Sequence, residues 1–225
     1  MHAVDLVVCD IAGTTVKDQD AVGTCVQQAL AAAGVTLTIE QINPIMGLPK
    51  PIAIQMLLEQ AGSDLDVTPI HADFVERMLD YYRTSPDVAP IDGVLDAIAM
   101  LRDAGVKVAL DTGFTANITE TILERLGWDE SVIDGVVSSD QVKEGRPSPD
   151  MIRYLMERFG IEDPMRVAKV GDAPADMCEG TNAGCRFVIG VLSGTHTEEQ
   201  LAKEPHTHIV GSLSDLPDLL LERRP

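Results

Sequence analysis

Val4-Asp5-Leu6-Val7-Val8-Cys9-Asp10-Ile11-Ala12-Gly13-Thr14-Thr15 decides how this chain folds. Val4 to Cys9 has the length and apolar character of a buried strand. It ends at Asp10 and runs into a turn at Gly13, which places a carboxylate at a strand tip. Further short runs read as strands: Val106 to Leu110, Gly135 to Val137, Val167 to Val170, Phe187 to Val191 and His208 to Val210. Helical patterns lie between them: Gly93 to Ala104, Thr115 to Leu126, Pro149 to Phe159, Ala175 to Ala183 and Leu213 to Leu221. Such alternation predicts an α/β fold with a doubly wound parallel sheet. Ligands of these sheets bind at the carboxyl ends of the strands.

One stretch interrupts the alternation. Residues 16–88 contain helical patterns and no strand, so the sheet domain is expected to comprise 1–15 and 89–225, with 16–88 inserted. Ala21 to Ala33 is Ala-rich and stops at Gly34. Ile52 to Ala61 follows Pro51, a favourable first helical residue, and stops at Gly62. Ile70, Phe74, Met78, Leu79 and Tyr82 recur at helical spacing and read as a core stripe. The two crossings, near Val16 and Pro86, are expected to act as hinges.

Composition narrows the function classes. The 225 residues are 45% hydrophobic, enough for a core, and only 4% aromatic, so that core is aliphatic. Acidic residues outnumber basic ones by 36 to 17, a net charge of −19. That balance argues against nucleic acid, whose phosphates need clustered Lys and Arg. It argues equally against anionic membranes. No apolar run reaches the roughly 20 residues that span a bilayer. No signal peptide is visible, and Cys9, Cys25, Cys178 and Cys185 form neither zinc spacing nor a CxxC pair, so a reducing cytoplasm is expected. The five histidines, His2, His71, His196, His206 and His208, show no metal spacing either. Nothing in the sequence fixes the oligomeric state, although the apolar helices of 16–88 could pair two copies in a homodimer.

Four clusters fall at four expected strand ends. Asp10-Ile11-Ala12-Gly13-Thr14-Thr15 offers a carboxylate able to attack phosphorus. Leu110-Asp111-Thr112-Gly113-Phe114 offers a hydroxyl and glycine amides for a phosphoryl oxygen, with helix capping by Thr112 or Thr115 as the plainer alternative. Glu144-Gly145-Arg146-Pro147-Ser148-Pro149 offers a planar guanidinium suited to the same oxygens. Val170-Gly171-Asp172-Ala173-Pro174-Ala175-Asp176 offers two carboxylates of the hard-oxygen type that Mg²⁺ takes. One of them could simply cap the helix, and Asp176 is expected to be partly structural.

Together the four clusters resemble the four motifs of the haloacid dehalogenase superfamily, over essentially the whole chain. The resemblance implies a Rossmann-like core with an inserted helical C1 cap at 16–88. It also implies a Mg²⁺-dependent hydrolase in which Asp10 forms a phospho-aspartyl intermediate. Thr112 and Arg146 would hold the transferring group, with Gly13, Thr14, Met46 and Gly113 binding substrate. Asp10, Ala12 through its carbonyl, Asp172 and Asp176 would bind the metal. Phosphatases of the superfamily usually carry a second Asp, as general acid, where this chain has Ala12.

Ala12 instead resembles the phosphonoacetaldehyde hydrolase branch, whose first motif reads D-x-A-G-T-T. There a cap lysine forms a Schiff base with the substrate aldehyde, and the iminium takes up the electrons of the breaking P–C bond. Met46-Gly47-Leu48-Pro49-Lys50 resembles the branch's M-G-x-x-K segment, and Gly145-Arg146-Pro147 carries its Arg. Two positions depart from the branch: Ala53 stands where it has a His, and Asp20 where it has a Cys. The substrate expected is a small phosphonate or phosphate. An ordinary phosphatase acting on a phosphate ester is one alternative, and a non-catalytic binding protein on the same fold is another.

Overall fold

The computed structural model describes residues 3–221, so His2 lies outside the described residues. Its centre is a parallel six-stranded sheet in the order β3-β2-β1-β4-β5-β6. The strands are β1 (Leu6–Cys9), β2 (Lys107–Thr112), β3 (Gly135–Ser138), β4 (Val167–Gly171), β5 (Phe187–Val191) and β6 (His208–Val210). The α-helices, in chain order, are α1 (Ala21–Ala32), α2 (Ile39–Ile42), α3 (Lys50–Gln60), α4 (Val67–Thr84), α5 (Val94–Asp103), α6 (Ala116–Leu126), α7 (Asp150–Phe159), α8 (Pro174–Ala183), α9 (Glu198–Leu201) and α10 (Leu216–Leu220).

The period of two along β1 sorts its side chains onto two faces. Val7 and Cys9 join a core built with Ile98 and Leu101 of α5 and with Ile118 and Ile122 of α6. Leu6 and Val8 join Met151, Ile152 and Leu155 of α7 on the other face. Both faces of the sheet are therefore covered, as doubly wound topology requires. The apolar run of β1 is explained by this double burial.

The expected strands all form, with ends shifted by a few residues. β1 starts at Leu6 rather than Val4, and β2 runs on to Thr112. The last helical pattern splits into a 3₁₀ turn at Leu213–Asp215 and the short α10, in which Pro217 occupies the first turn. The short helices at Ile39–Ile42 and Glu198–Leu201 had too few turns to show a period. Lys50, not Pro51 or Ile52, opens α3. Proline is tolerated one position further in because the first-turn N–H groups have no intrahelical partner anyway. Lys50 is thereby fixed in a helical first turn instead of a loop.

Where residues 17–89 leave and rejoin the sheet region, the two chain segments are tied together. Val16 pairs antiparallel with Pro90, the Lys17 amide donates to the Ala89 carbonyl at 2.9 Å, and the Ile91 amide donates to the Thr15 carbonyl at 3.0 Å. The return crossing thus lies at 89–91 rather than at Pro86, which sits in the turn after α4. Ile70, Phe74, Met78 and Tyr82 form the buried stripe of α4, as their spacing predicts, and Leu79 is half-buried beside it. α4 lies along α6 of the sheet layer, and Tyr82 meets Phe114 edge to face at 6.0 Å.

Candidate active site

Strand register builds the site. Cys9 stands beside Leu110 of β2 and Val170 of β4, so the residues just beyond, Asp10, Asp111-Thr112 and Gly171-Asp172, meet at the carboxyl ends of the three central strands. Arg146 reaches the same place from the loop before α7. A cavity opens there, lined among others by Asp10, Ala12, Thr112, Arg146 and Asp172. The inserted segment closes it from above with Met46, Gly47 and Lys50. The free space there is about 400 Å³, including solvent at the mouth.

Of the residues singled out in the sequence, Gly113 also lines this cavity, whereas Gly13, Thr14 and Asp176 stand behind it. Thr14 donates its hydroxyl to Asp172 at 3.3 Å, and Gly13, at φ 86°, leaves room for the Asp172 carboxylate that a Cβ would meet at 2.7 Å. Thr112 accepts from the Phe114 amide at 3.2 Å. Thr115, not Thr112, is the N-cap residue of α6.

Behind the cavity lies a buried charge network. Arg146, 1% exposed, places Nη1 2.7 Å from Asp10 Oδ1 and 3.0 Å from Asp176 Oδ1, and Nε 3.0 Å from Glu179. Its Nη2 contacts Asp111. Lys169 Nζ lies 3.1 Å from both Asp176 and Glu179 and also contacts Asp111. Burial works to raise the Asp111 carboxyl, but Arg146 and Lys169 outweigh it and hold the group low, at about 2. Burial and the neighbouring Asp111 push Glu179 up to about 8. The sequence reading passed over Asp111, Lys169 and Glu179. A lysine inside a strand buried on both faces was the available signal, because such a charge must be paired.

Breaking that network is expected to cost stability rather than chemistry alone. Lys169→Met leaves four carboxylates, Asp10, Asp111, Asp176 and Glu179, around the single cation Arg146. The loss of one partner of a buried pair typically costs about 3–5 kcal/mol. At about 2–4 °C per kcal/mol for a chain of this size, the melting temperature should fall by roughly 10 °C. A melt within about 2 °C of wild type would contradict the assignment of Lys169 as the counter-charge.

The metal question turns on which carboxylates lack compensation. Asp10, Asp111 and Asp176 bring oxygens within 4.8 Å of one another, but Arg146 and Lys169 already supply positive charge there. Asp172 differs: its hydrogen-bond donors are the neutral Thr14 hydroxyl, the Thr195 amide at 2.9 Å and the Thr195 hydroxyl at 3.4 Å. Burial, then Asp10 and Asp176, push its carboxyl up to about 8. Asp172 therefore faces the cavity without a cationic partner, next to an Asp10 that shares Arg146 with three other carboxylates, and a divalent cation fits that donor set. His196, set aside in the sequence, is buried beside this loop with Nδ1 3.1 Å from the Thr195 hydroxyl.

Lys50 is 4% exposed. Its Nζ donates to the Leu48 carbonyl at 3.3 Å and lies 5.5 Å from the centre of the Phe114 ring. Burial pulls the ammonium down to about 8, against the opposing pull of Asp10. The loop carrying it is pressed against the sheet layer at glycines. A Cβ on Gly113 would lie 2.8 Å from the Leu48 carbonyl oxygen, and one on Gly145 would lie 2.6 Å from Pro49. Gly113→Ala should therefore hold the loop off the cavity and lower kcat/KM by about tenfold, near the lower end of the 1–3 kcal/mol typical of overpacking. Unchanged kcat/KM would show that this contact is not needed for turnover.

The match that decides the family covers residues 7–190 and is to the family described as haloacid dehalogenase-like hydrolase. The chain belongs to the haloacid dehalogenase-like hydrolases. Within this family it falls in the phosphonatase-like branch. It is 27% identical to a phosphonoacetaldehyde hydrolase of Bacteroides fragilis, over 98% of this chain and 90% of that protein. It is 31% identical to one from Bacillus cereus, over 75% and 69% respectively. In fold it resembles a phosphonoacetaldehyde hydrolase-like protein of Oleispira antarctica, with a TM-score of 0.85, 18% identity and coverage of 96% and 91%. The phosphonatase-like chain is thus a hydrolase with an α/β parallel-sheet core. Among the described residues, no helix is long and apolar enough to cross a membrane.

Proposed function

We propose that this hydrolase cleaves the P–C bond of phosphonoacetaldehyde or a closely related small phosphonate, with Asp10 as nucleophile and Lys50 as the imine-forming amine. The observation that carries the reading is the placement of Lys50: a buried amine, in the same small cavity as Asp10, with a lowered proton affinity. Residues 16–88 serve as the cap that delivers it. Asp10 and Asp172, with the Ala12 carbonyl, would hold Mg²⁺. When bound, the ion would neutralise phosphoryl charge in line displacement. Asp176 acts from behind, through Arg146 and Lys169.

The chain's own groups divide the work. Arg146 and Thr112 hold phosphoryl oxygens, and Arg146 fixes Asp10 by one oxygen. Lys50 condenses with the aldehyde, and the resulting iminium draws in the electron pair of the P–C bond as Asp10 takes the phosphorus. The leaving carbon departs as an enamine, so no acid is needed at position 12. An ordinary phosphatase would have to protonate an alkoxide there, and Ala12 cannot. Membership in a hydrolase family likewise favours an enzyme over a binding protein.

Borohydride added with phosphonoacetaldehyde should trap a covalent adduct on Lys50. Only the neutral amine attacks a carbonyl. With its proton affinity near 8, about a tenth of Lys50 is neutral at pH 7, roughly 300 times the share of an ordinary lysine. The trapping rate should no longer rise above about pH 8, where the amine is largely neutral. An absent adduct, or a rate still climbing tenfold per unit at pH 9.5, would remove the imine from the reading.

A further inference from the structure

Imine chemistry needs a group that moves protons between nitrogen and oxygen, and the position three residues after Lys50 is Ala53, buried and without a proton to give. The ionisable side chains lining the cavity are Asp10, Asp18, Lys50, Arg146 and Asp172. Asp10 and Arg146 are committed to the phosphoryl group, and Asp172 to the cation. Asp18 is left over. It follows the Val16–Lys17 crossing, on the same inserted segment as Lys50. Its Oδ1 accepts from the Ala21 amide at 2.8 Å and the Val22 amide at 3.3 Å, which pins the carboxyl at the start of α1.

Helix capping accounts for one oxygen of Asp18. It does not account for a carboxyl lining a small cavity that must take an anion, where an Asn or Ser would cap equally well and repel nothing. Burial raises the proton affinity of Asp18, against the capping amides, and Asp18 and Lys50 each feel the other's charge. A carboxyl made easier to protonate, lining the same cavity as an amine made easier to deprotonate, is the pairing that carbonyl condensation uses.

We propose that Asp18 is a catalytic acid–base residue that carries protons during imine formation at Lys50. The proposal rests on the Lys50 reading above. The Lys50 nitrogen bonds to the carbonyl carbon while the C=O electron pair moves to oxygen. Protonated Asp18 gives its proton to that oxygen, and the resulting carboxylate takes one from the nitrogen, leaving a neutral carbinolamine. Asp18 then protonates the hydroxyl. The C–O bond breaks, water leaves, and the nitrogen lone pair closes the C=N bond. Amine, aldehyde and carboxylic acid have become iminium, water and carboxylate, so atoms and charge balance. The Asp18 carboxylate remains beside the iminium.

Asp18→Asn is the discriminating variant, because its amide oxygen keeps the hydrogen bonds to Ala21 and Val22 and only proton transfer is lost. Asp18→Ser, which also caps helices, serves as the second variant. Borohydride trapping of Lys50 with phosphonoacetaldehyde should slow by about 100-fold or more in both, the lower end of what a positioned acid–base contributes. The melting temperature and KM should change little while kcat falls. Wild-type trapping with equally fast trapping in either folded variant would overturn the role of Asp18 and leave Lys50 standing. No adduct in the wild type would overturn the Lys50 reading, and the Asp18 role with it.

Discussion

Asp10→Asn is expected to abolish turnover, by at least about 10⁴-fold in kcat, while the protein stays folded. Loss of a covalent nucleophile is among the largest single-residue effects in catalysis, and an amide cannot form the acyl phosphate. Folding should survive for an electrostatic reason. Four carboxylates, Asp10, Asp111, Asp176 and Glu179, crowd the two cations Arg146 and Lys169. Burial pushes the Asp10 carboxyl up to about 6, Arg146 opposing and Asp176 reinforcing the rise. Its folded proton affinity lies above the ordinary value, so ionised Asp10 opposes folding as pH rises through that window. Removing this charge should leave the melting temperature at pH 7 equal to wild type or higher. A variant that melts well below wild type, or that retains more than about 1% of kcat, would contradict the role assigned to Asp10.

Lys50→Arg should be nearly as severe for the phosphonate. Arginine keeps the positive charge and a comparable reach but is never neutral, so it cannot condense with an aldehyde. If Lys50 served only to attract the substrate's charge, the variant would keep most of its activity. The imine account predicts a fall in kcat of at least about 10³-fold, because the P–C electron pair then has no iminium to enter. KM should change far less than kcat, since the charge at the site persists. Turnover within tenfold of wild type would leave Lys50 as a binding residue.

The fold was legible because its signals are local. Each buried strand is a short apolar run, and the carboxylate at Asp10 and the Gly171-Asp172 pair mark strand ends without reference to anything distant. The site was legible in part. Asp10, Lys50, Thr112, Arg146 and Asp172 do gather around one cavity. Their convergence follows from β1 lying between β2 and β4 in a parallel sheet. What stayed hidden depends on pairings across many residues. Lys169 and Glu179 acquire meaning only once β4 and α8 bring them against Arg146 and Asp111. Asp18 looks like an ordinary helix cap until the inserted segment folds back and puts it on the cavity wall. Pro86 marks only where α4 stops, whereas the chain rejoins the sheet at Ala89–Ile91, where its backbone pairs with Thr15, Val16 and Lys17.

The central claim is that one small cavity joins an aspartyl nucleophile to an amine electron sink, and so breaks a P–C bond. The most direct measurement is the product balance from phosphonoacetaldehyde, followed as inorganic phosphate and acetaldehyde, with Mg²⁺ and again with a chelator. The account predicts equal amounts of the two products with Mg²⁺ and neither with the chelator. Rapid phosphate release from simple phosphate monoesters, with no acetaldehyde formed from phosphonoacetaldehyde, would contradict it.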